Sequence, residues 1–283
     1  MRFSQRVALR YIRTKFRILS AVSKKRAARK AFELFCTPQY RNKKKLPRIF
    51  EQAEKITFPF HKSTIKGYRW NPTGKEKLLI LHGFESSVIN FDRYVKPLVS
   101  LGYCVLAFDA PAHGRSTGKM INILMYRELI NLVNERYGPI SSFLAHSMGG
   151  LALSVTIEEW PCNEDLKVVL IAPATETTSA ADSLFQLLKL DEGVRREFDS
   201  LIEREGKAPI SWFSVARAAE NIRSRVMWFH DRDDNMTPLS DVERVITKNY
   251  PNFQFHITDG LGHRRIYRDN KVTKAVFAFF EKA

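Results

Sequence analysis

The stretch that decides the fold is FLAHSMGG, residues 143–150. An apolar strand runs into Ser147, and small residues open a helix immediately after it. A tight strand-to-helix turn of this kind lifts the serine hydroxyl above the end of the strand, where a substrate can reach it. The turn brings two backbones close together, so small residues are needed at Ala145 and Gly149. The stretch predicts a nucleophilic Ser147, although taken alone it also fits an ordinary serine in a plain strand–helix turn.

Short apolar strands and helical stretches alternate on both sides of this turn. The predicted strands are Ile56–Phe60, Thr64–Trp70, Leu78–Leu81, Cys104–Phe108, Ser142–Ala145, Val168–Ile171, Val226–Phe229 and Phe253–Ile257. The first two read as a hairpin. Helical patterns occupy about 88–100, 122–137, 148–160, 239–248 and 271–281. This alternation predicts an α/β fold with a doubly wound, mostly parallel sheet and helices on both faces.

A hydroxyl nucleophile needs a base, and in this topology the base and its orienting acid follow later strands in the order serine, acid, histidine. His263 lies on a glycine-rich loop after the last predicted strand, so we expect it to be the base. Three acids follow the strand at 226–229, and we select Asp234, four residues before Pro238. Asp231 and Asp233 stay open as alternatives, with stabilisation of their own loop as their other role.

Acyl transfer also needs two N–H donors for the developing oxyanion. One is expected from the backbone of Met148, at the start of the helix that follows the nucleophile. The other is expected from the loop after Leu78–Leu81, where Gly83 allows the backbone to bend and the Phe84 N–H is the candidate donor. That loop also fits a plain strand-to-loop glycine.

Together these segments resemble the α/β-hydrolase family. The matching segments are 82–84 (HGF), 109–116 (DAPAHGRS), 145–149 (AHSMG), Asp234 with Pro238, and 262–263 (GH), in family order over about 55–283. Ala145 and Ala112 replace usual glycines, and Asp231 stands where glycine is frequent. The resemblance implies Ser147, His263 and Asp234 as a catalytic triad, and a mainly architectural role for the turn at 109–116.

The expected function is that of a serine hydrolase of the carboxylesterase type, acting on a small carboxylic ester or thioester through an acyl-enzyme. No cofactor and no metal ion are expected. Two alternatives stay open: a peptidase with the same triad, and a non-catalytic hydrolase-fold protein that binds anionic surfaces through its basic arm.

Charge divides the chain unevenly. Residues 1–48 hold 16 Lys and Arg with Glu33 as their one acid, whereas residues 49–283 hold 30 basic and 29 acidic residues. We therefore expect a basic helical arm over 1–48 and a hydrolase domain over 49–283. Residues 174–224 contain only helical patterns and are expected to form a cap insertion above Ser147.

The arm has three interpretations. Residues 1–35 contain no Pro or Gly and read as helix, with Arg2, Arg6, Arg10, Arg13 and Arg17 on one stripe. The helix could dock on the body through the neighbouring apolar residues Leu9, Ile12, Phe16 and Leu19. It could instead bind anionic lipid through residues 1–35. Contact with nucleic acid is the least favoured, because no nucleic-acid-binding fold accompanies the arm.

Cysteine usage and hydropathy indicate the compartment. Cys36, Cys104 and Cys162 are odd in number and widely spaced, which argues against a disulfide framework and a thiolate zinc site. No apolar run reaches the ~18 residues of a membrane span. We expect a cytoplasmic protein that the arm could hold at the inner membrane surface.

Overall fold

The computed structural model describes residues 3–42 and 44–281 and divides the chain into two compact units. The helical unit comprises Met1–Thr37 and Glu176–Phe213, and the sheet unit comprises Pro38–Thr175 and Ser214–Ala283. Arg2, one of the five arginines predicted to share a stripe, lies outside the described residues. Among the helices of the described chain, none is long and apolar enough to cross a bilayer.

Eleven α-helices occur in the described residues. Numbered along the chain they are α1 Phe3–Val22, α2 Lys24–Cys36, α3 Asp92–Ser100, α4 Ile123–Tyr137, α5 Met148–Ile157, α6 Thr177–Leu188, α7 Glu192–Gly206, α8 Val215–Ala218, α9 Leu239–Ile246, α10 Gly262–Arg265 and α11 Asn270–Glu281. The helical unit contains α1, α2, α6 and α7, and the other helices belong to the sheet unit.

Eight strands of the described chain form a single sheet. They are β1 Glu54–Phe60, β2 Ser63–Trp70, β3 Lys77–Leu81, β4 Cys104–Asp109, β5 Ser142–His146, β6 Lys167–Ile171, β7 Arg225–Asp231 and β8 Phe253–Thr258. Their spatial order is β1-β2-β4-β3-β5-β6-β7-β8. β1 and β2 pair antiparallel and β2 runs antiparallel to β4, while every later pairing is parallel. The predicted doubly wound, mostly parallel sheet is confirmed.

Helices cover both faces of the sheet, which explains why the sequences of the interior strands are apolar. All residues of β4 and β5 are buried, and so are all residues of β7 except its first. α4 packs on α5, while α3 packs on α11. The parallel strands β3, β5, β7 and β8 end at the same edge of the sheet, so the loops that follow them meet there.

The helical unit differs from the predicted single helix over 1–35. Ser23 has an extended backbone (φ −162°, ψ 116°) and separates α1 from α2, and its hydroxyl accepts the Arg26 N–H at the start of α2. A serine is a preferred residue at this position, since its oxygen satisfies an otherwise unpaired N–H of the first turn. The stretch that reads as helix over residues 1–35 therefore contains two helices that meet at Ser23.

α2 packs against α7 within the helical unit. Ala27, Ala28 and Ala31 are buried on α2, which gives this helix a small-residue face. The ring of Phe198 on α7 meets the edges of Phe32 and Phe35 at centroid distances of 6.2 and 5.8 Å. The first helices of the chain thus form one unit with α6 and α7.

The segment after α2 belongs to the sheet unit. The Arg41 guanidinium donates hydrogen bonds to the carbonyls of Ala112 (3.0 Å), Ser116 (3.2 Å) and Gly118 (2.9 Å). The sheet unit begins at Pro38, whereas the sequence led us to expect a division after residue 48.

Candidate active site

Ser147 occupies the turn between β5 and α5. Its backbone has φ 53° and ψ −124°, a positive φ that is uncommon for a residue with a side chain. Gly149 makes the turn feasible, because a Cβ there would lie 2.7 Å from the His82 carbonyl oxygen and 2.8 Å from that of Leu81. Ala145, where the resemblance leads us to expect glycine, is fully buried within β5.

His263 lies in α10, on the loop that follows β8. Its Nε2 is 2.9 Å from the Ser147 Oγ, and its Nδ1 is 2.7 Å from the Asp234 Oδ2. With Nδ1–H donating to the carboxylate, Nε2 is the acceptor for the serine hydroxyl. The structure thus brings the three predicted side chains into one hydrogen-bonded row, and all three are buried, at 8% exposure for Ser147, 7% for His263 and 3% for Asp234.

The three acids after β7 have separate partners. Asp234 is the acid that contacts the His263 ring. Asp231 accepts the backbone N–H groups of Leu261 (3.1 Å) and Gly262 (2.8 Å), so it holds the loop that carries the histidine. Asp233 accepts the Gly260 N–H at 3.0 Å. The geometry favours Asp234 over the two alternatives as the partner of the imidazole.

Thr237 fixes the orientation of the Asp234 carboxylate. Its N–H donates to Oδ1 at 2.9 Å, and its hydroxyl donates to Oδ2 at 2.8 Å while lying 3.2 Å from His263 Nδ1. Burial alone would raise the pKa of Asp234, but the hydrogen bond and charge of His263, with the Thr237 hydrogen bonds, outweigh it and lower the pKa to about 2. Nothing in the sequence pointed to Thr237 beyond its position beside Pro238.

The loop after β3 lies against the nucleophile. A Cβ on Gly83 would be 2.6 Å from the Ser147 Cβ and 3.2 Å from its Oγ, so only glycine fits there. Among the hydrogen bonds of the described residues, neither the Phe84 N–H nor the Met148 N–H has an acceptor. An oxyanion site requires N–H groups that have no acceptor within the folded chain.

Two buried histidines, His82 and His113, fix this loop, and the sequence predicted the contacts of neither ring. The Nδ1–H of His82 donates to the Gly83 carbonyl (2.8 Å), and its Nε2 accepts the Ala110 N–H (3.0 Å). His113 accepts the Glu85 N–H on Nε2 (2.9 Å). Phe84 therefore lies between the Gly83 carbonyl, which His82 binds, and the Glu85 N–H, which His113 binds. Burial lowers the pKa of His82 to about 4 and that of His113 to about 3, so both rings are neutral at pH 7.

The turn at 109–116 is held by Asp109. This carboxylate is buried, with Oδ1 accepting the Val88 N–H and Oδ2 accepting the Arg115 N–H. Burial raises its pKa. Its oxygens are thus committed to backbone groups, as suits an architectural turn.

His146 is a further buried ring beside the site, and the sequence analysis did not single it out. Its Nε2 is 3.1 Å from the His263 carbonyl, and its ring centroid lies 4.8 Å from that of His263. Burial, together with the charge of His263, lowers the pKa of His146 to about 3. The ring is a neutral packing partner of the histidine loop.

The arrangement supports nucleophilic chemistry. A serine hydroxyl that donates to an imidazole can pass its proton to that ring as it attacks an electrophilic carbon, and the carboxylate stabilises the imidazolium that forms. Over the residues that the structure describes, no three His, Cys, Asp or Glu side chains gather in a way that could hold a metal ion.

Comparison with known proteins gives one family model and two relatives by sequence. The model, described as serine aminopeptidase, S33, matches residues 72–196. The chain is 26% identical over 255 residues to the uncharacterized protein YqkD of Bacillus subtilis (strain 168), covering 79% of this chain and 78% of that protein. It is 24% identical over 237 residues to a 2-hydroxy-6-oxononadienedioate/2-hydroxy-6-oxononatrienedioate hydrolase of Cupriavidus pinatubonensis, covering 67% and 81%.

Solved structures share the fold. The esterase Pf2001 of Pyrococcus furiosus superposes with a TM-score of 0.63 at 20% identity, covering 87% of this chain and 97% of the esterase. At this identity the likeness concerns the fold, and the chemistry rests on the side chains of the site.

Proposed function

Because this chain belongs to the α/β-hydrolase family, we propose that it is a serine hydrolase that cleaves carboxylic esters or thioesters through Ser147, His263 and Asp234. The observation that carries the proposal is the 2.9 Å separation of the Ser147 Oγ and His263 Nε2. At that distance the proton can move to the ring as the oxygen attacks.

The first half of the reaction forms an acyl-enzyme. The Ser147 Oγ attacks the carbonyl carbon, and its proton moves to His263 Nε2. The carbonyl oxygen becomes an oxyanion that accepts hydrogen bonds from the Phe84 and Met148 N–H groups. The bond to the alkoxide or thiolate then breaks, and the leaving group takes the proton from the imidazolium.

The second half returns the enzyme to its starting state. Water gives a proton to His263 Nε2 as it attacks the acyl carbon, and the same two N–H groups hold the second oxyanion. The proton then passes from the ring to the Ser147 oxygen as the carboxylic acid leaves. Asp234 keeps the proton of Nδ1 in place in both halves, so Nε2 is always the working nitrogen.

A fluorophosphonate probe tests the nucleophile, because it reacts covalently with an activated serine. We expect the wild-type chain to be labelled and Ser147→Ala to remain unlabelled. Ser154→Ala is the matched control, since the Ser154 hydroxyl is buried in α5 and donates to the Gly150 carbonyl at 2.9 Å. Equal labelling of wild type and Ser147→Ala would contradict the assignment, and an unlabelled wild type would favour a non-catalytic protein.

A peptidase is the second candidate, favoured by the family model described as serine aminopeptidase. Amine leaving groups depart only after protonation, so an enzyme suited to esters hydrolyses them much faster than amides. A p-nitrophenyl ester and a p-nitroanilide with the same acyl group separate the two. We expect ester turnover to dominate, whereas amide turnover at an equal or greater rate would establish the peptidase.

A further inference from the structure

The outer face of α1 carries an exposed apolar stripe. Val7 is 53% exposed, Tyr11 69%, Ile18 61% and Val22 70%. At about 100° per residue, these four positions fall within an arc of about 60° on the helix. Seven large apolar side chains of the described chain are at least 49% exposed, and four of them belong to this one stripe.

This stripe is separate from the face of α1 that packs inside the helical unit. Phe16 is buried at 4% exposure. The Ser20 hydroxyl donates to the Asp191 carboxylate at 2.7 Å, and the Arg13 Nε donates to the Leu187 carbonyl at 2.8 Å. Packing therefore uses the Phe16 side of α1 and leaves the stripe in solvent.

Cations flank the stripe on both sides. Arg6, Arg10 and Arg17 lie along one flank and Lys15 along the other, and all four side chains are exposed. The sequence of α1 contains no Asp or Glu. Across residues 6–42 and 44–281, none of these four cations forms an ion pair, in contrast to Lys24, which binds Asp191.

We propose that α1 docks the protein on an anionic lipid bilayer, lying in the plane of the interface. The stripe from Val7 to Val22 is about 22 Å long at 1.5 Å per residue. A helix of this kind inserts its apolar side at the boundary of headgroups and acyl chains, and its flanking cations bind the lipid phosphates. The positive charge of residues 1–48 complements such a surface.

Other partners would use only part of the exposed face of α1. Nucleic acid is bound through its phosphates, which would use the arginines and leave four apolar side chains exposed to water. A second copy of the chain would bring two strongly basic helices against each other, and no acid on α1 offsets their repulsion. A bilayer with anionic headgroups is the partner that uses both the stripe and its cations.

Sedimentation with vesicles tests the proposal on the full chain. The vesicles contain phosphatidylcholine with about a third phosphatidylglycerol, and phosphatidylcholine alone is the reference. We expect wild type to bind the mixed vesicles, to bind the neutral ones far more weakly, and to be released as salt shortens the screening length. The triple variant Arg6→Gln/Arg10→Gln/Arg17→Gln should lower the partition coefficient about 100-fold, at about fivefold per charge.

A charge-matched control removes three exposed cations of the sheet unit, Arg244→Gln/Lys248→Gln/Lys274→Gln, and should bind within about twofold of wild type. The apolar variant Val7→Ser/Tyr11→Ser/Ile18→Ser/Val22→Ser should lower binding at least tenfold. Because these side chains are exposed, the unfolding midpoints should stay close to that of wild type, which makes a loss of binding attributable to the surface.

Several results would overturn the proposal. Failure of wild type to bind the mixed vesicles is one such result, and equal binding by wild type and all variants is another. Salt-sensitive binding to duplex DNA without vesicle binding would identify nucleic acid as the partner. A dimer that the apolar variant abolishes, again without vesicle binding, would identify a second copy of the chain. Vesicle binding requires no turnover, so these results are independent of the proposed hydrolase activity.

Discussion

Ser147 and Gly83 are the two residues whose close approach defines the site. A positive φ at a residue with a side chain costs on the order of 1–3 kcal/mol, and Ser147 keeps this conformation with a φ of 53°. The Ser147 N–H donates to the Ile171 carbonyl at 3.2 Å, and the Ser147 carbonyl accepts the Gly150 N–H at 2.9 Å. These contacts, together with the absence of a side chain at Gly83, leave the hydroxyl facing His263.

Replacing Gly83 with alanine should damage catalysis much more than folding. The new Cβ would lie 2.6 Å from the Ser147 Cβ, so the serine or the loop must shift. A shift of about 1 Å at a reacting group lowers the rate about 100-fold, and we expect that loss in the kcat of ester hydrolysis. Gly102→Ala is the control, because Gly102 has φ +90° but no atom within 4 Å of an added Cβ. Equal kcat values for the two variants would contradict the close approach.

Substitutions of the acids after β7 should lower kcat by different amounts. Asp234→Asn should lower kcat on the order of 10³–10⁴-fold, because an amide no longer holds the tautomer of His263 that accepts the serine proton. Asp231→Asn should lower it about tenfold, since Asp231 binds the backbone of the histidine loop and only positions the ring. Steady-state kinetics with a p-nitrophenyl ester measures both variants, and a larger loss for Asp231→Asn would reverse the assignment.

Sequence reasoning selected the residues that carry the proposed chemistry and missed those that hold them. Ser147, His263 and Asp234 each follow a strand in a recognisable order, so pattern alone could select them. Thr237 and His146 act through distances that depend on how separate loops meet, and no spacing along the chain reveals that. His82 was visible as the residue directly after β3, but its hydrogen bonds to the loop required coordinates.

At the scale of elements, Asp191 joins the two chain segments of the helical unit. Its Oδ1 accepts the Gly193 and Val194 N–H groups at the start of α7, while its Oδ2 accepts Ser20 Oγ and Lys24 Nζ, each at 2.7 Å. The hydrogen bonds from Lys24 and Ser20 lower the pKa of Asp191. This one carboxylate therefore caps the N-terminus of α7 and binds it to the junction of α1 and α2.

Truncating Asp191 should weaken the helical unit. We expect Asp191→Ala to lower the free energy of unfolding by about 1–2 kcal/mol, because the start of α7 loses its acceptor. Asp191→Asn keeps an amide oxygen for the same N–H groups and should lose less than half as much. Urea unfolding followed by circular dichroism measures both, and equal losses would show that the capping oxygen contributes little.

Strands and helices with a clear hydrophobic periodicity were predictable from the sequence, whereas the assignment of the helices to the two units was not. The strands of the sheet follow from short apolar runs, and their boundaries agree within a few residues. The break at Ser23 was missed because a serine in a run free of Pro and Gly does not interrupt helical periodicity. The union of α1 and α2 with α6 and α7 depends on contacts between segments about 160 residues apart in the chain, such as Phe35 with Phe198.

At the scale of the whole molecule, buried neutral histidines should make stability depend on pH. The pKa values of His82, His113 and His146 are lowered to about 4, 3 and 3. Below the unfolded pKa of about 6.5, the unfolded chain binds protons that the folded chain does not, so stability is complete above that pH and is lost as the pH falls. At pH 5 the three rings together should give a slope of about 4 kcal/mol per pH unit.

The variant His113→Gln tests this account because it removes one of the three titrating rings. Its free energy of unfolding should fall less steeply between pH 6 and pH 4, by about 1.4 kcal/mol per pH unit. Urea unfolding at a series of pH values gives the slopes, and identical slopes for wild type and His113→Gln would contradict the burial argument.

The proposed mechanism requires that Ser147 carries an acyl group during turnover. The most direct measurement mixes the protein rapidly with p-nitrophenyl acetate, stops the reaction with acid and maps the acetyl group by peptide mass spectrometry. We expect a burst approaching one p-nitrophenolate per chain when deacylation is the slower half, with the acetyl group on the peptide that contains Ser147. Turnover with the acetyl group on another residue, or with none on Ser147 under conditions that trap the intermediate, would contradict it.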